Sequence, residues 1–457
     1  MADIAHLQKM RNRVVNGETH ARAYRRDLLI RFRESLLKHE EAIYKALEQD
    51  LRKGREETWA TEIGLVVAEL NEAIGSLRKW MSPRRVRTNL LNWPSSCHIH
   101  AEPLGLVLII APWNYPVQLL FNPMVGALAA GNTVVLKPSE FTPATEEVMR
   151  AIVAEAFSTE EVLYITGDGA QVVPELMQSF TFDHVFYTGS TSVGRLVYKM
   201  AADKLVPVTL ELGGKSPTVI EPDADLRVSA RRIAMIKFSN CGQMCVAPDF
   251  ILVHESIRDA FLDEMKKAIW AFYGTEPQQS ESFGRIVNTR QFDRLLNYLA
   301  DGEILIGGRH DRSDLFIEPT LLSVGSLDSP IMNEEIFGPL LPILTYENFE
   351  EARAIIERHP NPLAFYVFTQ SKSKADRWLD AVPAGGACVN NASWHLSNTR
   401  LPFGGRGNSG IGAYHGRQSF DTFSHHKSVM RTPTWFDPAI KYPPFAGKLN
   451  LFKKMVR

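Results

Sequence analysis

Two cysteines, Cys241 and Cys245, stand four residues apart in Phe238–Phe250, a segment that also carries Gly242, Gln243 and Pro248. The 457-residue chain has only four cysteines, so a pair in one irregular connection raises the question of which thiol reacts. A metal reading lacks partners, because the nearest histidine, His254, falls in a strand-like run. A thiol in a loop becomes a nucleophile where N–H groups or a cation favour its thiolate. Otherwise a cysteine is a small core residue, and Cys241, Cys97 and Cys388 are read that way.

Four other stretches carry residue types suited to chemistry. Glu211 ends an apolar run in Leu210-Glu211-Leu212-Gly213-Gly214-Lys215. A carboxylate in apolar surroundings has its pKa raised toward that of a general base, although pairing with Lys215 would remove that property. Asn114, in Pro112-Trp113-Asn114-Tyr115-Pro116, can offer an amide N–H to an oxyanion or simply form a turn. Gly189-Ser190 joins a strand-like run to a helix-like one, which suits a phosphate or an ordinary N-cap. Lys137 and Glu140, three apart after another strand, can grip ribose hydroxyls or form a solvated pair.

The elements that must position these residues follow from periodicity. The first eighty residues read as helices, with apolar positions such as Leu28, Leu29, Phe32 and Leu36, then Ile63, Leu65, Val66, Leu70, Ile74 and Leu77. Arg85–Ala101 has no helical period and reads as an extended arm. From Leu104, short apolar strands alternate with helices as far as Leu210, and a second alternation begins at Pro217. That pattern gives an α/β fold of two doubly wound parallel-sheet domains, with a small β arm. Gln418–Val429 reads as a further extended piece able to pair with the early arm.

Composition narrows the function. The net charge of −1 argues against a nucleic-acid partner. Four cysteines in so long a chain fit a reducing compartment. No secretory signal or membrane span is visible, so a cytoplasmic protein without an integral membrane segment is expected, and no metal site is found.

The combined motifs resemble the aldehyde dehydrogenase superfamily. Phe238–Ala247 is similar to its cysteine signature, and Leu210–Pro217 to its glutamate signature. Pro112-Trp113-Asn114, Lys137-Pro138-Ser139-Glu140, Thr188-Gly189-Ser190, Glu334–Pro339 and Pro402-Phe403-Gly404-Gly405 follow the family order. The short stretch before Pro112, Val-Ala-Pro-Asp after Cys245, and Lys441-Tyr442-Pro443-Pro444-Phe445 resemble the class 3 subgroup. The long apolar anchor of its membrane-bound members is not seen.

The resemblance implies NAD(P)-dependent oxidation of an aldehyde through a thioester on Cys245. Asn114 would stabilise the oxyanion, and Glu211 would activate water, with Glu335 as the rival base. Trp113, Lys137, Glu140, Gly189, Ser190, Leu212, Glu335 and Phe337 would hold the cofactor. Glu140 favours NAD, and Lys137 beside it leaves NADP acceptable. The implied division is 1–82 with 102–210 for the nucleotide, 211–396 for catalysis, 83–101 with 397–430 as an arm making a homodimer, and 431–457 as a tail. Tyr115, Trp394 and His395 are candidates to line the substrate path. A CoA-acylating enzyme, or a non-catalytic protein of the same fold, are the competing readings.

Overall fold

A computed structural model describes residues 3–456 of the chain. Its first sheet has six strands, in the order Gly410–Ile411, Val208–Glu211, His184–Thr188, Leu106–Ile110, Thr133–Lys137 and Val162–Tyr164. All run parallel except Gly410–Ile411. The three central strands are buried at every position, because helices cover both faces; Leu106–Ile110 is apolar throughout, and the other two have apolar middles with polar ends.

The chain enters this sheet at its centre, builds outward to Val162–Tyr164, and then returns to build the other half. The strands Leu106–Ile110 and His184–Thr188 are therefore neighbours whose following loops diverge. Such a switch point leaves a crevice at the carboxyl ends of the strands. Trp113 and Asn114 follow one of these strands, and Gly189 and Ser190 follow the other.

The second sheet has seven strands, in the order Gly302–Ile306, Thr320–Val324, Leu340–Tyr346, Phe250–His254, Pro217–Ile220, Ala364–Phe368 and Gly386–Val389. Only Gly302–Ile306 is antiparallel. The α/β expectation of two mainly parallel sheets agrees with this architecture. The strand Thr320–Val324 was not foreseen, although Thr, Leu, Leu and Val fit a buried strand.

A third sheet joins Arg84–Val86, Ser96–Pro103 and Ser424–Arg431. The last two pair antiparallel from Ser424 opposite Pro103 to Arg431 opposite Ser96, so the two arms meet as the sequence suggests. The expected extended piece Gln418–Val429 needs correction at its start, because Gly416–Thr422 is a helix. Phe420 and Phe423, three apart, are both buried, and the Phe420 ring lies 5.7 Å from Trp80. Helical spacing buries both rings on one side, which an extended chain would not do. Among the described residues no helix is long and apolar enough to cross a membrane.

Candidate active site

The loop that carries the cysteines is built on an unusual backbone. The helix Leu226–Phe238 ends, and Asn240, Cys241 and Gly242 then adopt φ values of 47°, 55° and 73°. Three consecutive left-handed residues turn the chain sharply, at a cost that surrounding bonds must offset. Gly242 is required twice over: a Cβ there would lie 2.2 Å from the Gly338 carbonyl oxygen. The fully buried Gln243 side chain fastens the loop, donating to the carbonyls of Asn240 (3.0 Å) and Arg285 (2.9 Å) and accepting from the Val287 N–H (3.0 Å).

Cys245 leaves this turn half-buried and borders an apolar cavity of about 170 Å³. Burial pushes its thiol up to about 12, and the charges of Glu335 and Glu211 push the same way. Its own N–H and that of Val246 oppose them. Cys241 is fully buried, and burial raises its thiol well above the ordinary range. All four cysteines are free.

Asn114 is buried, and its amide donates to the Gln243 carbonyl at 3.0 Å, which ties it to the cysteine loop. One amide N–H remains to be given. Glu211 ends the strand Val208–Glu211 with both carboxylate oxygens buried and unpartnered, and burial raises it well above the usual carboxylate range. The alternative pairing with Lys215 is not made. Lys215 bonds instead to Asp249 and to the carbonyls of Ile331 (2.8 Å) and Glu334 (2.9 Å).

Those last contacts hold the loop 334–337 in place. Asp249 also accepts from the Ile336 N–H (3.0 Å), and Arg294 donates to the carbonyls of Glu335 (3.3 Å) and Ile336 (2.7 Å). Glu335 is drawn against Gly213, where a Cβ would stand 2.0 Å from its Oε2. Its Oε1 is buried without a partner, and burial together with Asp249 raises it to about 8. Phe337, at φ 52°, meets the Trp113 ring edge to face at 5.4 Å.

The remaining cofactor candidates lie along the carboxyl edge of the first sheet. Lys137 is buried and bonds Glu140 at 3.2 Å, while Glu140 also accepts from the Gly169 N–H at 3.3 Å. Ser190 caps the helix Thr191–Ala202 through the Val193 N–H (3.4 Å), with Gly189 preceding it. Leu212 is buried against that helix, where any Cβ on Gly194 would strike it at 2.5 Å.

Tyr115 and Trp394 border the cavity, as expected. His395 instead meets Cys388 at 3.3 Å and stacks on Phe403. Tyr414 and His415, which sequence reasoning passed over, also line it. Lys53, Glu57 and Glu62 were missed as well, and they bond directly to the loops carrying Asn114 and Asn240. Lys53 lies in the break after the helix Glu40–Leu51, and Glu57 and Glu62 lie in the helical segment that follows it, so nothing in the sequence pattern marked them.

The seven-stranded sheet does not follow the carboxyl-edge rule. Ser239–Asp249, Glu335–Pro339 and the glycines before Pro217 all precede strands of that sheet, at its amino edge. The site therefore forms where the carboxyl edge of one sheet faces the amino edge of the other. Among the described residues no group of three His, Cys, Asp or Glu could hold a metal ion.

The profile of the aldehyde dehydrogenase family matches residues 15–429. The chain is 45% identical to aldehyde dehydrogenase family 3 member H1 of Arabidopsis thaliana, over 92% of this chain and 87% of that protein. It is 43% identical to 4,4'-diaponeurosporen-aldehyde dehydrogenase of Staphylococcus aureus, over 94% of each. The structure superposes on substrate-bound Staphylococcus aureus AldH with a TM-score of 0.97 at 41% identity, covering 100% of both chains. The chain belongs to the aldehyde dehydrogenase family, whose members oxidise aldehydes with NAD(P).

Proposed function

We propose that Cys245 is the nucleophile of an NAD(P)-dependent aldehyde oxidation that ends in a carboxylic acid. One observation carries this reading: a single cysteine borders an apolar cavity between two buried carboxylates, with the Asn114 amide tied to its own loop. The raised thiol needs a proton acceptor close by, and Glu211 and Glu335 are the available groups. Passing the proton to either one leaves the total charge of the site unchanged, which limits the electrostatic cost.

The thiolate adds to the aldehyde carbon, and the C=O π pair moves to oxygen, where the free Asn114 N–H and the Cys245 backbone N–H stabilise it. A bound nicotinamide would supply the hydride acceptor, and loss of that hydride as the C=O re-forms leaves a thioester on Cys245. Glu211, after releasing to solvent any proton taken from the thiol, accepts a proton from water, the hydroxide adds to the thioester carbon, and as the C=O re-forms the C–S bond breaks and returns the thiolate to Cys245. The unpartnered oxygens and raised pKa of Glu211 support this role over that of a structural carboxylate.

Lys137 and Glu140 would hold the adenosine ribose, and Gly189 and Ser190 the pyrophosphate. The orphan Oε1 of Glu335 suits a ribose hydroxyl, with Phe337, Trp113 and Leu212 around the nicotinamide. The carboxylate at Glu140 favours NAD, and the neighbouring Lys137 keeps NADP acceptable.

The cavity lining, including Leu119, Ile236, Phe403 and Trp394, suits an aldehyde with an apolar chain or ring. The Staphylococcus aureus relative is named for 4,4'-diaponeurosporen-aldehyde, which makes such an aldehyde a candidate substrate. Ser424–Arg431 is an edge strand with unpaired backbone groups on its outer side, which supports a homodimer built through the arm. The free cysteines support residence in the reducing cytoplasm. The decisive experiment is Cys245→Ala with NAD and octanal: NADH formation should disappear while the protein stays folded, and retained turnover would refute the assignment.

A further inference from the structure

The segment Arg55–Ile63 reads in sequence as part of a supporting helix, yet it touches both halves of the site. Its first turn, Arg55–Thr58, widens into a π-turn at Trp59–Ile63, where the Gly64 N–H reaches back to the Trp59 carbonyl. A Cβ on Gly64 would lie 2.7 Å from that oxygen, so the wide turn depends on this glycine. Such turns are rare and frequent at functional sites.

Two acids five residues apart point inward from it. Glu57 accepts the Asn240 N–H at 2.6 Å and the Ser239 hydroxyl at 2.8 Å, and so holds the entrance of the left-handed turn before Cys245. Glu62 has no exposed surface. It accepts the N–H groups of Val117 (3.1 Å) and Gln118 (2.9 Å) and pairs with Lys53 at 2.7 Å. Lys53, equally buried, donates to the Asn114 carbonyl at 3.3 Å and stands 4.2 Å over the Tyr115 ring. The same carbonyl accepts the Asn240 amide at 2.8 Å.

Asn114 is thus gripped at its backbone from two directions and at its side chain by Gln243. Stability alone does not account for the pair. Two buried charges lose solvation that well-packed apolar side chains would not lose, and exchanging such a pair is often neutral. What Lys53 and Glu62 supply is direction: a fixed orientation for the Asn114 carbonyl and for the first turn of the helix Pro116–Ala130.

We propose that the buried Lys53–Glu62 pair, with Glu57 beside it, consists of positioning residues that register the Asn114 amide against Cys245. Ala60 and Thr61 of the same segment, with Leu65 just beyond it, border the apolar cavity, so one stretch sets the register of the oxyanion donor and also forms a wall for the aldehyde. This inference rests on the roles proposed above for Cys245 and Asn114.

The test is a double-mutant comparison with NAD and octanal, reading the first-turnover rate of NADH formation in variants shown by melting to be folded. Lys53→Met/Glu62→Met should slow that turnover about tenfold or more, because a misplaced catalytic group loses rate steeply. In an Asn114→Ala background the same two changes should alter the rate by less than about twofold, since the group they act through is gone. If the double variant does not fold, Lys53→Met alone leaves Glu62 its two backbone donors and permits the same comparison. Equal losses in both backgrounds, or no loss in either, would overturn the inference while leaving the reading of Asn114 intact. An unchanged rate in Asn114→Ala by itself would overturn both.

Discussion

Gly213→Ala perturbs the site without replacing any group proposed to do chemistry. Gly213 lies outside the left-handed region, so alanine meets no backbone penalty there. Its new Cβ, however, would stand 2.0 Å from Oε2, 2.5 Å from Cδ and 2.6 Å from Oε1 of Glu335. Reaching even a tight contact of 3.0 Å requires that carboxylate to move by about 1 Å. The clash is with the end of a flexible side chain, so the fold should lose little, about 1 kcal/mol or less.

The chemistry should lose more. A shift of that size in a group that orients a reactant costs on the order of 10- to 100-fold, or about 1.4–2.7 kcal/mol in the barrier. If Glu335 orients the nicotinamide ribose, the loss appears in first-turnover NADH formation and in kcat/KM for NAD. If Glu335 is the deacylation base instead, the first turnover survives and only later ones slow. Stopped-flow NADH absorbance with saturating aldehyde separates these cases, beside a melting curve. A folded Gly213→Ala enzyme with unchanged NAD kinetics would show that Glu335 has no role sensitive to position, and the reasoning would fail.

Glu211→Gln should preserve a first burst of NADH equivalent to the active sites while steady-state turnover falls about 100-fold or more, the loss typical of a missing general base. Unchanged turnover would transfer that role to Glu335. Glu69 is buried with Oε2 unpartnered, accepts the Gly416 N–H at 2.6 Å, and is raised by burial to about 7. Because its folded value lies above its ordinary one, its contribution is full in acid and is lost as pH rises through about 7. By pH 8 ionisation costs on the order of 3 kcal/mol. Thermal melts from pH 5 to 8 should therefore fall more steeply for the wild type than for Glu69→Gln, and parallel profiles would contradict this.

What the sequence reveals and what it conceals divide along physical lines. The strands of the first sheet are legible because both faces are dry, which makes Leu106–Ile110 apolar throughout and gives His184–Thr188 an apolar middle. Cys245, Asn114 and Glu211 are legible as candidates because the chemistry proposed for them demands particular residue types beside glycines and prolines. The early helices hide their function for the opposite reason. Periodicity treats Thr58–Trp80 as one regular helix, but the π-turn at Trp59–Ile63 inserts an extra residue and rotates the inward face. Leu65 borders the apolar cavity, and Glu62 and Glu69 are buried, Glu69 on the same helix face as the buried Val66 and Ala73. A buried carboxylate and a solvated one are the same letter, and only the partners distinguish them. For Glu62 these are two backbone N–H groups and Lys53, and for Glu69 the N–H of Gly416, more than three hundred residues away. The charges that orient the site are therefore the part that one-dimensional patterning reads last, because their burial is decided by tertiary contacts rather than by their neighbours in the chain.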